Sequence, residues 1–245
     1  MKIIVGDRFI SFCKETDNII YSEFIKSPQK LSKTSLIIGL GLSQNELKAI
    51  QKISDKYQIK LFFKNSPADC CITHKYKEKN CLISKPVQIS ENTYEASLIL
   101  DDESELLSDH ITGLHLQGMI LIEACRQMFI SVAMDYFSKN FFSNERYGAI
   151  NSMDSQFESY TFPIPALIRY TRTALENNTE RDNVSFSGKI EIIQAGRRCF
   201  QMSMKHTYYK LEKIQPIEKY KCQSACKRLV ESITPEKSNE KILIL

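Results

Sequence analysis

Hydrophobic positions along this chain change their period, and each change predicts a different kind of structure. Near the start, MKIIVGDRFISFC and NIIYSEFI read as strands, and TSLIIGLGL as a third, buried one. SQNELKAIQKISDKYQ then places Leu47, Ile50 and Ile53 at helical spacing, with Ser43 and Glu46 set as a capping box. IKLFF returns to a strand pattern. Together these predict a small α/β accessory unit over residues 1–75. The polar, charged stretch from Asn65 to Asn80 reads as a linker or junction.

The second part of the chain is patterned differently. CLISKPVQISENTYEASLILDD predicts one or two strands, and an apolar helix over 118–139 follows. Four strand-like runs come next: YGAINSMDSQFESYTF, ALIRYTRTAL, NVSFSGKIEII and RCFQMSMKHTYYK. Alternation such as that of MSMKHTYYK suits an antiparallel sheet with one solvated face. NNTERDN and QAG mark turns, and an amphipathic helix is expected over Ile217 to Ile233. A sheet with one apolar face must cover it, and the helix from Gly118 is the apolar element long enough to do so. The expected fold is therefore α+β: a hotdog, meaning a curved antiparallel sheet wrapped around a long central helix, over residues 76–245.

Composition narrows the functional classes. The net charge of +4 comes from lysines interspersed with acids such as Asp101, Asp102, Glu103 and Glu105, so no concentrated basic face for nucleic acid is expected. The eight cysteines contain no CxxC pair, which argues against a zinc framework, and neither metal nor cofactor is expected. MKIIVGDRF carries no apolar run of signal-peptide length, so the thiols read as reduced and the protein as cytoplasmic. Glu123, Arg126 and Gln127 interrupt the longest apolar stretch, Gly118 to Tyr136, making it a poor membrane span. The GLG at 39–41 lacks the third glycine of a nucleotide fingerprint and reads as a strand-to-helix turn.

Candidate chemistry gathers in DHITGLHLQGMILIEACRQM, residues 109–128. A helix starting near Gly118 leaves its first amides, those of Gly118 and Met119, without intrahelical acceptors. Their partial positive charge suits a carbonyl oxygen that becomes anionic. Gly113 and Gly118 would let the backbone approach a ligand closely or take positive φ. His115 precedes the helix start by three residues, and His110 follows the turn-forming Asp109. Within the helix, Glu123, Arg126 and Gln127 share one face at i, i+3 and i+4. An intrahelical pair at a dimer seam and a catalytic carboxylate are both open readings of Glu123 and Arg126. Cys125 lies inside the helix without a base and reads as core, and His74 and His206 read as structural.

These residues resemble the motif of the A-factor biosynthesis hotdog (AfsA) family: Asp-His, a short gap, then His-x-x-Gly-Met-x-x-x-Glu-Ala-x-Arg-Gln. It stands here as Asp109-His110, His115-Leu116-Gln117-Gly118-Met119, Glu123-Ala124 and Arg126-Gln127. The resemblance spans about residues 80–215 and is strongest over 109–128. The motif's usual proline is Gln117 here, and the gap before His115 is longer by one residue. More distantly, the helix resembles that of β-hydroxyacyl-thioester dehydratases, although the usual His-Phe-Pro-Gly appears as His110-Ile-Thr-Gly113.

The resemblance implies work on an acyl thioester of acyl carrier protein or coenzyme A, with a small-molecule hydroxyl acceptor such as dihydroxyacetone phosphate. Gly118 and Met119 would hold the oxyanion, a donor there being worth roughly 3 kcal/mol. His115, His110 and Glu123 would do the acid–base work, with Asp109, Gly113, Arg126 and Gln127 supporting. Ile122, Cys125 and Phe129 would line an acyl tunnel. Arg169, Arg197 and Arg198 are candidates for an acceptor phosphate. Family members with two hotdog repeats imply that this chain, with one motif, forms a homodimer. The alternatives are a dehydratase or thioesterase of the same fold, or a non-catalytic acyl-binding scaffold.

Overall fold

A computed structural model describes residues 1–107, 113–137, 146–178, 180 and 182–233. The first sheet is parallel. Strands β1 (Lys2–Val5), β2 (Ile19–Ile20), β3 (Ser35–Ile38) and β4 (Lys60–Phe62) stand in the order β2-β1-β3-β4. Helix α3 (Gln44–Tyr57) covers one face, where Ile4, Leu36, Ile38 and Ile50 are sealed. Its start carries the expected capping box: the Ser43 hydroxyl accepts from the Glu46 amide while the Glu46 carboxylate accepts from the Ser43 amide at 2.7 Å. Gly39 to Gly41 form the turn into it, with Gly41 at φ +77°.

Two of the strand expectations fail. MKIIVGDRFISFC ends its strand at Val5 and continues as helix α1 (Ile10–Thr16), and NIIYSEFI keeps only Ile19–Ile20 as strand before α2 (Tyr21–Lys26). Phe9, Phe12 and Cys13 bury one side of this segment, at the three- and four-residue spacing of a helix rather than the alternation of a strand. Phe12 stacks on Phe162, 6.2 Å between centroids, so the first unit shares the core of the second.

The second sheet has six strands, antiparallel throughout. They are β5 (Val87–Ser90), β6 (Thr93–Ser97), β7 (Arg146–Phe157), β8 (Leu167–Asn178), β9 (Asn183–Gln194) and β10 (Arg197–Lys210), in the order β5-β6-β8-β9-β10-β7. Strict alternation along β9 buries Val184, Phe186, Ile190 and Ile192 on one face. Register shifts in β8, between Arg172 and Ala174, and in β10, between Lys205 and His206, bend the long strands. The concave face holds helix α5 (Gly118–Val132), in which ten of fifteen residues are buried, the mark of a central rather than a surface helix. The fold is the expected hotdog. A π-helical turn, Ala133–Phe137, ends α5, and helix α6 (Leu211–Ile233) starts six residues earlier than its periodicity suggested.

The supposed linker is not one. Helix α4 (Cys70–Thr73) packs on α5. Thr73 and Cys81 are buried, and the Ser131 hydroxyl donates to the Ile72 carbonyl at 3.1 Å. Among the described residues no helix is long and apolar enough to cross a membrane.

Candidate functional site

Helix α5 begins at Gly118, where the sequence placed it, with Gln117 in extended conformation at the cap. The Gln117 side chain does not cap the helix; its amide donates to the Leu106 carbonyl and anchors the preceding loop. The amides of Gly118 and Met119, in the first turn, have no intrahelical acceptor. His115 is exposed, its ring 4.5 Å from that of Tyr160, and the Leu116 amide donates to the Thr161 carbonyl at 2.7 Å. Together they border a cleft of about 450 Å³ lined by His115, Gly118, Leu121, Phe157, Glu158 and Tyr160, among others. The imidazole thus faces the same space as the helix start.

Gly118 serves this geometry differently from the expectation. It does not take positive φ; a Cβ there would come within 2.7 Å of the Phe157 ring, so the missing side chain admits the wall of the cleft. Gly113 has open space around its Cα, and nothing in the structure explains it. Asp109 and His110 lie outside the described residues. Glu158 escaped the sequence reading, because a charge at the end of a strand has no pattern. It lines the cleft and is held by Arg198, whose Nε donates to its carboxylate at 2.9 Å.

Glu123 looks the other way. Leu121 lines the cleft, and two residues further along turn the helix by about 200°. There Arg126 meets the carboxylate with two bonds, Nε to Oε2 at 2.7 Å and Nη2 to Oε1 at 2.8 Å. Lys75 from the former linker reaches Oε1 at 2.5 Å, and the Gln127 amide donates to it at 3.1 Å. Burial alone would raise the Glu123 pKa, but the bonds from Arg126 and Lys75 and the charge of Arg126 outweigh it and hold it at about 2. Gln127, fully buried, also donates to the Asn80 carbonyl and accepts from the Leu82 amide. Within one chain the structure therefore brings His115 to the helix start and Glu123 to residues 75–82, and does not bring the two together.

Packing and pairing account for most of the remaining candidates, while Arg197 is exposed at the start of β10. Cys125 is fully buried, which pushes its thiol well above the usual range, and Phe129 packs edge-on to Tyr170 at 5.3 Å. That face is core where a tunnel was expected. Arg169 donates to Glu95 at 2.8 Å, and Arg198 is held between Glu158 and Glu191, so neither is a free cation for a phosphate. His206 is buried against Phe129 and Tyr208, and burial brings its pKa down to about 4, with the Gly148 backbone opposing and the charges of His74 and Arg126 adding to the drop. Among the described residues no cluster of three or more histidine, cysteine or acidic side chains could hold a metal ion.

Comparison with known proteins places the arrangement. A family model described as AfsA, A-factor biosynthesis hotdog domain, matches residues 67–210. Among solved structures, a thioesterase from Haemophilus influenzae is 15% identical, covering 53% of this chain and 79% of its own at a TM-score of 0.37. The AziG protein of S. sahachiroi is 12% identical, with 53% and 92% covered and a TM-score of 0.39. A mutant thioesterase from Pseudomonas aeruginosa is 8% identical, with 53% and 82% covered and a TM-score of 0.38. No curated protein matches the chain.

Proposed function

Because the chain belongs to the A-factor biosynthesis hotdog (AfsA) family, we propose that it acts on an acyl thioester and transfers the acyl group to the hydroxyl of a small acceptor. The observation that carries this reading is an accessible imidazole, His115, sharing one cleft with the amide-bearing start of α5. The thioester carbonyl oxygen sits against the Gly118 and Met119 amides, which strengthen their hold as it becomes anionic. His115 takes the proton of the acceptor hydroxyl as its oxygen attacks the carbonyl carbon. The tetrahedral intermediate collapses, the carbon–sulfur bond breaks, and the imidazolium returns the proton to the departing thiolate. Ester and free thiol are the products.

Glu123 takes a supporting part in this scheme. A carboxylate with a pKa of about 2 stays ionised at neutral pH and is a weak base. It holds Arg126, Lys75 and Gln127, and through them the segment 75–82 against the helix. The thioester comes from acyl carrier protein or coenzyme A, and the eight free thiols suit a cytoplasmic setting. Residues 1–75 form the accessory unit, and residues 76–245 the catalytic one.

We also propose a homodimer. Strand β7 is an open edge of the sheet, with Ile150, Met153 and Phe157 exposed along it. Phe157 lines the cleft as well, so a second copy docked on this edge would border the reacting groups. Hydrolysis is the second reading, favoured by one observation: His115 and Tyr160 are exposed, so water has the same access as an alcohol.

The test is product mass spectrometry on the purified chain given β-ketoacyl and β-hydroxyacyl thioesters, with and without dihydroxyacetone phosphate and unphosphorylated dihydroxyacetone. An ester formed only with an acceptor, and lost in His115→Ala, supports transfer. Free acid without acceptor moves the assignment to hydrolysis, and loss of water to dehydration. A thioester bound but never turned over leaves an acyl-binding scaffold.

A further inference from the structure

A second space, larger and of different chemistry, lies where the two sheets meet. It measures about 570 Å³, within the roughly 300–1,000 Å³ of small-molecule sites, and shares no lining residue with the His115 cleft. None of its lining side chains is charged; Asn65 and Ser97 are the polar ones.

Strand register explains the apolar walls. On the hotdog sheet, Ser97 pairs with Leu167 and Leu167 with Ile193, forming one cross-strand row. The neighbouring row on the same face is Glu95, Arg169 and Glu191, with Arg169 bonded to Glu95. The outer face of the sheet therefore changes from charged to apolar at the edge of this cavity. Opposite stand Ile3 and Ile37, register partners in the parallel sheet. A parallel sheet ordinarily has both faces covered. Here Ile4 and Leu36 are sealed beneath α3, whereas Ile3 and Ile37 are only half-buried. At the rim, Phe63 is 58% exposed and takes φ +60°, a conformation that bulky side chains rarely adopt. An aromatic ring held exposed by a strained backbone, beside unsealed isoleucines, is what a hydrocarbon guest would cover.

We infer that this cavity binds the hydrocarbon tail of a small amphipathic molecule, a medium-chain fatty acid or alcohol, with the head group outside near Phe63 and Asn65. The absence of charge in the lining excludes a carboxylate or phosphate from the interior, since burying one unpaired costs several kcal/mol. The site is independent of the reaction at His115.

The experiment is a fluorescence titration of the full chain with N-phenyl-1-naphthylamine, followed by displacement with decanol and decanoic acid. Saturable binding displaced by both is expected, weakened at least tenfold in Ser97→Phe, which fills the cavity, and about threefold in Phe63→Ala, a change at an exposed position that leaves the core intact. His115→Ala and Tyr160→Ala should leave the titration unchanged. Displacement by decanol but not decanoic acid places the head group inside and overturns the orientation. No saturable binding, or binding lost in the Tyr160 variant and kept in both cavity variants, overturns the site.

Discussion

The two sides of α5 differ in what they leave open. On the side of Gly118 and Leu121 the helix start opens into a cleft beside an exposed imidazole. On the side of Glu123 the polar groups are partnered with one another and with the backbone: the carboxylate meets Arg126, Lys75 and Gln127, and Gln127 closes onto the backbone at Asn80 and Leu82. Chemistry needs polar groups that still have something to bind; architecture needs them satisfied. A motif of one stretch thus divides into a part that faces an open cleft, to which the proposed function assigns the chemistry, and a part that fastens the helix, and the division follows from the helical turn between residues 121 and 123.

The sharpest way to break this comparison is to remove one residue from each side and read activity and stability together. His115→Ala is expected to lower kcat by roughly 100- to 10,000-fold, the usual contribution of a general base. Its melting temperature should stay near that of the parent, because the ring is exposed. An unchanged kcat would sink His115 as the base. Glu123→Ala should do the reverse first: stability falls by roughly 3 kcal/mol, since Arg126 and Lys75, both largely buried, lose their counter-charge. Urea unfolding measures it, and a loss below about 1 kcal/mol would mean the network is solvated and dispensable. A Glu123→Met, Arg126→Met double variant should recover part of the loss.

How far the sequence could be read follows the same lines. The six hotdog strands were legible because alternation, as in β9, survives in any sheet with one buried face. The α3 capping box and the α5 start were legible because both are local. Phe9, Phe12 and Cys13 stand at helical spacing, yet the short apolar runs around them fit a strand as well, and their burial in the shared core, with Phe12 on Phe162, decided the matter. Lys75 was hidden in a stretch that composition marks as a linker, because its partner lies far along the chain. Gly118 was recognised, but its reason, the Phe157 ring from β7, is a tertiary contact that no local pattern announces.

A smaller effect sharpens the contrast through pH. His206 lies in the core with a pKa near 4, below the 6.5 of an unperturbed imidazole, so between these values the unfolded chain binds the extra proton. Stability is complete above pH 6.5 and falls as the pH drops toward 4, by about 2 kcal/mol between pH 7 and pH 5. Glu123, also depressed, adds its loss only as the pH falls from 4.5 toward 2. Urea titrations at pH 7, 5 and 3 should show both phases. His206→Phe is expected to flatten the first and Glu123→Gln the second, and a first phase that persists in His206→Phe would assign it elsewhere.

The smallest expected effect tests the cleft wall itself. In Gly118→Ala the new Cβ would come within 2.7 Å of the Phe157 ring, so the ring must swing. Phe157 is 56% exposed and free on its outer side, which limits the stability change to about 1 kcal/mol or less, and alanine's better helix propensity offsets part of that. The catalytic consequence should exceed the structural one, because the ring moves into or away from the space beside the Gly118 and Met119 amides. KM for the thioester is expected to change more than kcat, by several-fold. Phe157→Leu placed on Gly118→Ala removes the contact and should restore KM. If KM stays altered after that second change, the glycine acts on the substrate directly, and the close approach of Phe157 is not its reason for being there.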